Sequence, residues 1–159
     1  MKIKAGIDLR EGIIYNTSMK KHQIVADTNV FVTALRSQFG ASYKLLSLID
    51  KDVYQLNLSV PLVLEYEEVA KRMIGEISLS EQEIDDILDF VVKHSNRWHI
   101  FYLWRPQLKD ASDDMVLELA VTANCTYIIT YNLSDFKGIE KFGIQAITPK
   151  AFLEMVGEL

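Results

Sequence analysis

The chain has 159 residues, 49% hydrophobic and 25% charged, a balance that excludes a disordered polymer and fits one globular domain with a sizeable core. Its longest apolar stretches fall short of the ~18 residues of a membrane-spanning helix, and no apolar segment with a cleavage site follows the start, which points to the cytoplasm. A net charge of −5 argues against a protein that coats nucleic acid by neutralising phosphates; a carboxylate site that recruits cations escapes that argument.

Residues 1–22 mix short apolar runs with Lys and Gly, and Met19-Lys20-Lys21-His22 reads as a second start to the folded part. The segment is a leader, an upstream start, or an arm whose Ile13-Ile14-Tyr15 docks as an edge strand. From Gln23 to the C-terminus no repeat or Gly/Ser linker interrupts the pattern, so 23–159 reads as one domain. Ile24 to Ala26 is a short buried strand. Ser42 to Asp50 groups Leu45, Leu46, Leu48 and Ile49 on one helical face. Val53 to Val60 alternates Tyr54, Leu56, Leu58 and Val60 with Gln55, Asn57 and Ser59, the pattern of a half-buried strand. Pro61 suits a first helical turn, and its helix should reach about Ile74 before Gly75.

Ser80-Glu81-Gln82-Glu83 is a capping box ahead of a stripe of Ile84, Ile87, Leu88, Val91 and Val92. Trp98 to Trp104 reads as an aromatic-rich strand closed by Arg105-Pro106, and Ser112 as the cap of a helix from Asp113 to Ala123. Tyr127 to Thr130 and Ile144 to Ile147 are further strands, and Thr148-Pro149 opens a last helix. Cys125, the one cysteine, precedes an apolar run and reads as a packing residue. Strands alternating with helices predict a three-layer α/β/α fold with a mostly parallel central sheet.

In such sheets ligands gather at the carboxyl ends of the strands. Asp27 ends the first strand of the domain, Glu65 falls one turn into the helix after the second, Asp113 and Asp114 open the helix after the aromatic strand, and Asp135 follows Thr130. Magnesium and manganese take hard oxygen ligands from several elements, so these carboxylates predict a divalent-metal site. Asp113 and Asp135 taken singly also suit helix or turn caps. A carboxylate after Ile-Val-Ala is costly to bury without a cation or donors, which makes Asp27 the firmest member.

The segment Ile24-Val25-Ala26-Asp27-Thr28-Asn29-Val30 resembles the opening strand of the PIN-domain nucleases, where an Asp-Thr-Asn run supplies the first metal-binding carboxylate. Three more motifs follow in order: Ser59-Val60-Pro61-Leu62-Val63-Leu64-Glu65-Tyr66; Lys109-Asp110-Ala111-Ser112-Asp113-Asp114 running on to Ala120; and Ile129-Thr130-Tyr131-Asn132-Leu133-Ser134-Asp135-Phe136. The resemblance implies a Mg²⁺- or Mn²⁺-dependent ribonuclease acting on single-stranded or loop RNA through an activated water and leaving a 5′-phosphate. It is similar to the PIN toxins of bacterial toxin–antitoxin pairs, which implies an antitoxin partner and a homodimer. Catalytic and metal-binding roles then fall on Asp27, Glu65, Asp113, Asp114 and Asp135, with one of the adjacent pair ligating and the other assisting. Thr28, Asn29, Asp110, Thr130 and Asn132 are the supporting set. The chain departs from the family pattern at Asn132, where many relatives carry Asp, and at Ala111, where proline is common.

Thr28 and Asn29 are expected to hold the loop through backbone, and Thr130 and Asn132 to do the same or to bind metal through water. Lys71, Arg72, Arg105, Lys109 and Lys137 are candidates to guide phosphates. Tyr54, Trp98, Tyr102 and Trp104 are candidates to stack on bases, with core packing expected for at least half. A metal-free acid–base ribonuclease needs two of His22, His94 and His99 to converge. Apolar positions on the helices Ser42 to Asp50 and Glu81 to Lys93 offer a dimer surface. Two rival readings remain: a phosphohydrolase or phosphoacceptor domain with Asp27 as the reacting group, and a PIN-fold binding module whose chemistry is weakened at Asn132.

Overall fold

Five short strands, all parallel, carry the hydrophobic runs of the domain into one sheet of order β5-β4-β3-β6-β7. They are β3 (His22–Ala26), β4 (Tyr54–Ser59), β5 (Asn96–Trp98), β6 (Tyr127–Ile129) and β7 (Gln145–Ile147). The computed structural model describes residues 5–8, 13–16, 21–100 and 107–159. β1 (Ala5–Asp8) and β2 (Ile13–Asn16) form an antiparallel hairpin of their own. The strand expected around Ile13-Ile14-Tyr15 thus pairs with β1 and not with an edge of the central sheet.

Among the described residues six α-helices follow the strands: α1 (Thr28–Arg36), α2 (Ala41–Ser47), α3 (Val60–Arg72), α4 (Glu81–Lys93), α5 (Ala111–Thr122) and α6 (Pro149–Met155). The three-layer α/β/α architecture is as the alternation predicts. On one face Phe152 of α6 meets His22, Tyr54 and Tyr127 edge-on, and the Tyr54 hydroxyl donates to the Leu45 carbonyl at 2.6 Å. A buried aromatic of this kind contributes about 1.5–3 kcal/mol. α5 packs against β3, β4 and β6. Among the described residues no helix is long and apolar enough to cross a membrane.

Local chemistry decides most boundaries. Ser80 and Glu83 form the reciprocal capping box, and Thr148 caps α6 with Pro149 as its first residue. Ser59 caps α3, which ends at Arg72 with Gly75 at φ +98° just beyond it. α5 is capped by Asp110, whose carboxylate accepts from Ser112 N–H at 2.8 Å, and not by Ser112; the helix starts at Ala111.

One helix that the residue pattern does not announce is present, and two expectations meet a different structure. α1 follows β3 directly, with Asp27 as its cap and Val30, Phe31 and Ala34 buried. β4 is buried on both faces: Asn57 is 0% exposed and Ser59 nearly so, because the strand lies inside a parallel sheet with helices on either side. Of the strand expected from Trp98 to Trp104, Trp98 is the last residue of β5, which begins at Asn96, and His99 and Ile100 are in no strand; 101–106, with Tyr102, Trp104 and Arg105, lie outside the described residues.

Candidate active site

The carboxyl ends of β3, β4 and β6 open on one rim, and the chain places an acidic or hydroxyl side chain at each. Asp27, 8% exposed, leaves β3 with its N–H bonded to the Ile129 carbonyl at 2.9 Å, which locks it to the end of β6. One carboxylate oxygen accepts from Thr28 N–H at 2.8 Å. The other accepts from the Thr130 hydroxyl at 2.9 Å and lies 3.3 Å from Asn29 Nδ2. Thr130 is fully buried and its oxygen in turn accepts the Asn132 N–H at 3.0 Å.

Thr28 Oγ1 donates to Glu65 Oε2, joining α1 to α3 across the site. Thr28 bonds a carboxylate through its side chain, and Asn29 does so while also accepting a backbone N–H, that of Tyr131, as the loop-holding role expects. Beneath them Tyr66 stacks on Phe31 with ring centroids 4.6 Å apart and donates its hydroxyl to the Ala26 carbonyl, the peptide that precedes Asp27.

The adjacent acids on α5 divide. Asp114 accepts from the N–H groups of Gln107 and Leu108, both at 3.0 Å, and so anchors the loop before the helix. Asp113 faces the other carboxylates. Burial, then the charges of Asp27, Asp110, Asp135 and Glu65, push its carboxyl up to about 6. Asp27 is likewise raised, first by burial and further by Glu65 and Asp135, against the opposing hydrogen bonds from Thr130 and Thr28. Asp135 sits in a 3₁₀ turn, Leu133–Phe136, anchored by the buried Phe136 ring. Asp27, Glu65, Asp113 and Asp135 thus stand close enough to act on one another, and Asp110 contributes from the edge.

The donor set is all carboxylate oxygen, the chemistry that Mg²⁺ and Mn²⁺ take. Mutual repulsion in the ion-free arrangement is what a cation would relieve. Among the described residues no three of these groups are already closed to ligating distance; Glu65 is turned toward Thr28 and Asp27 toward its own donors.

Of the candidate phosphate guides, Lys71 is enclosed by Glu67 and Asp85, each at 2.8 Å, and is spent on joining α3 to α4. Arg72 and Arg36 line a cleft of about 460 Å³ beside the site, together with Thr28, Asn29, Thr33 and Glu76. Lys109 and Lys137 are exposed. Tyr54 is core, and Trp98 is held by its Nε1–H on Asn57 at 2.8 Å. Cys125 is buried, and its thiol is pushed up to about 12 by burial, as a packing role requires. His22 and His94 pack on aromatic neighbours, and neither is among the groups acting on Asp27 or Asp113. Tyr66, Tyr131 and Arg36 were not singled out from sequence. The signal for Arg36 was its helical spacing from Asn29 and Thr33, visible only once α1 is known.

Residues 23–134 match the family model of the PIN domain. No curated protein matches the chain. Among solved structures, the crystal structure of VapBC2 from Rickettsia felis bound to a DNA fragment from their promoter contains a chain with 15% identity and a TM-score of 0.54. The alignment covers 79% of this chain and 98% of that one. At that identity the likeness is one of fold.

Proposed function

Since the chain belongs to the PIN-domain family, we propose that it is a divalent-metal-dependent endoribonuclease and the toxin member of a toxin–antitoxin pair, with 23–159 as its nuclease domain. The observation that carries this reading is the placement of Asp27, Glu65, Asp113 and Asp135 on four separate elements about one sheet rim, with Thr28 joining Glu65 to the Asp27 loop. Mg²⁺ or Mn²⁺, when bound, supplies a Lewis acid that activates water and stabilises the leaving oxygen of a phosphodiester.

The chain's own residues prepare the site. Thr28 N–H and the Thr130 hydroxyl fix both oxygens of Asp27, and Thr28 Oγ1 holds Glu65. Such outer partners set the orientation of ligating groups. Asp113 is the member of its pair that holds the ion, and Asp114 the one that holds the loop. Asp135 takes the fourth acidic place, its N–H donating to the Asn132 carbonyl, and the Asn132 N–H donates to the Thr130 hydroxyl that holds Asp27. Asp110 supports α5 as its cap.

An apolar groove of about 680 Å³ between the end of α1, α2 and α4, lined by Leu35, Phe39, Tyr43, Leu46, Ile87 and Phe90, gives a partner surface for an antitoxin or a second copy. The VapBC2 likeness supports the former. A toxin of this kind acts on cytoplasmic RNA.

The test is cleavage of labelled single-stranded RNA by the purified chain with Mn²⁺ or with a chelator, beside Asp27→Asn purified in parallel. Cutting that needs Mn²⁺, leaves 5′-phosphate and disappears in the variant is the expected result. Equal cutting by Asp27→Asn, or RNA binding without divalent-dependent cutting, rejects the nuclease reading.

A further inference from the structure

Tyr131 sits next to Thr130, whose hydroxyl holds Asp27, and its side chain is 42% exposed. It is nevertheless fixed at two points. Its hydroxyl lies 2.6 Å from Oγ of Ser42, a buried residue of α2, and its N–H donates to Asn29 Oδ1 at 3.4 Å. Asn29 reaches Asp27 through its other side-chain atom. The phenol tip is tied to a buried partner while the residue as a whole remains exposed. A side chain ordered before binding loses little further rotamer freedom when it is covered.

The charge pattern points to what covers it. A strand with a phosphate at the carboxylate rim meets negative potential there, and the segment from Thr130 to Phe136 contains no Lys or Arg to offset it. This segment can then hold the nucleotide beside that phosphate only through uncharged contacts. An aromatic face is suited to this, since every base presents a π-face to it.

We propose that Tyr131 is a stacking platform for one nucleobase of single-stranded RNA, forming a base subsite at the edge of the carboxylate cluster. The inference rests on the ribonuclease reading above. It predicts that substrate affinity depends on a base at one position of the strand, whichever base it is, and that Ser42 serves to hold the platform.

The test is the dissociation constant for a short fluorescent oligoribonucleotide, intact or made abasic at each position in turn, measured in the Asp27→Asn background to suppress cutting. One abasic position is expected to weaken binding about five- to a hundredfold. Tyr131→Ala should weaken the intact oligonucleotide by the same factor and abolish the abasic penalty, while Tyr131→Phe, which keeps the ring and loses the tie to Ser42, should keep the penalty and bind with an affinity between those of the native chain and Tyr131→Ala. An abasic penalty that persists in Tyr131→Ala, or no penalty at any position on the native Tyr131, overturns the platform and leaves the ring to packing or to a protein contact. The abasic series does not depend on the Ala variant folding. A wild-type chain that cuts RNA while showing no abasic penalty rejects this subsite alone; a chain that neither binds nor cuts RNA rejects the nuclease reading with it.

Discussion

Two buried polar clusters lie within the same sheet and are built on opposite principles. Around Asn57, in the middle of β4, every group is neutral and each donor meets an acceptor. Its amide nitrogen reaches Gln23 Oε1 at 3.0 Å and the Ile24 carbonyl at 3.2 Å, while its oxygen accepts from Trp98 Nε1 at 2.8 Å and Asn96 Nδ2 at 3.3 Å. At the rim, both oxygens of Asp27 also have donors, yet the neighbouring charges are carboxylates that repel it. A satisfied neutral network stabilises and does nothing else. A set of acids held together against their charge is arranged for something positive to arrive.

That contrast can be broken from either side. Asp27→Asn should reduce RNA cleavage more than about a hundredfold, beyond the effect of losing an outer partner, while the melting temperature of the ion-free chain holds or rises because one repelling charge is gone. Thr130→Val, which removes the donor to Asp27 and the acceptor of the Asn132 N–H, should cost ~10–100-fold in activity, with a smaller fall in melting temperature than a core substitution brings. Asn57→Ala should do the reverse. By stranding the Trp98 indole N–H it costs about 2–3 kcal/mol, a fall of roughly 4–12 °C for a chain of this size, with activity per folded molecule retained.

The smallest expected effect is a pH slope. The Asp113 carboxyl is raised from 3.8 to about 6 in the folded chain, so the folded state binds that proton more tightly than the unfolded one. Its stabilising share is complete below about pH 4 and is lost as pH rises through 6. Melting scans of the ion-free chain should therefore decline across that window. Asp113→Asn should flatten the decline, and Mn²⁺-dependent activity should climb over the same range as the carboxylate becomes free to ligate.

Much of this was readable in the residues where local chemistry fixes structure. A carboxylate ending Ile-Val-Ala marked the rim, the Ser80–Glu83 box marked the start of α4, and Thr148-Pro149 marked that of α6. What was missed depends on neighbours distant in sequence. The alternation in β4 looked half-solvated because nothing local announces that helices cover both faces. The choice between Asp113 and Asp114 turns on two backbone N–H groups, at Gln107 and Leu108, that claim one of them. Thr28 reads as a loop brace, and its carboxylate partner Glu65 lies 37 residues away. α1 was hidden because Val30, Phe31 and Val32 run consecutively and blur the helical period.

The most direct test of the central claim is the anomalous-scattering map of a crystal soaked in saturating Mn²⁺. A peak held by oxygens of Asp27 and Asp113, with Glu65 or Asp135 turned toward it and Asp114 still bonded to the loop, is the predicted result. The absence of any peak at that rim, with the four carboxylates ordered and unmoved, would contradict it.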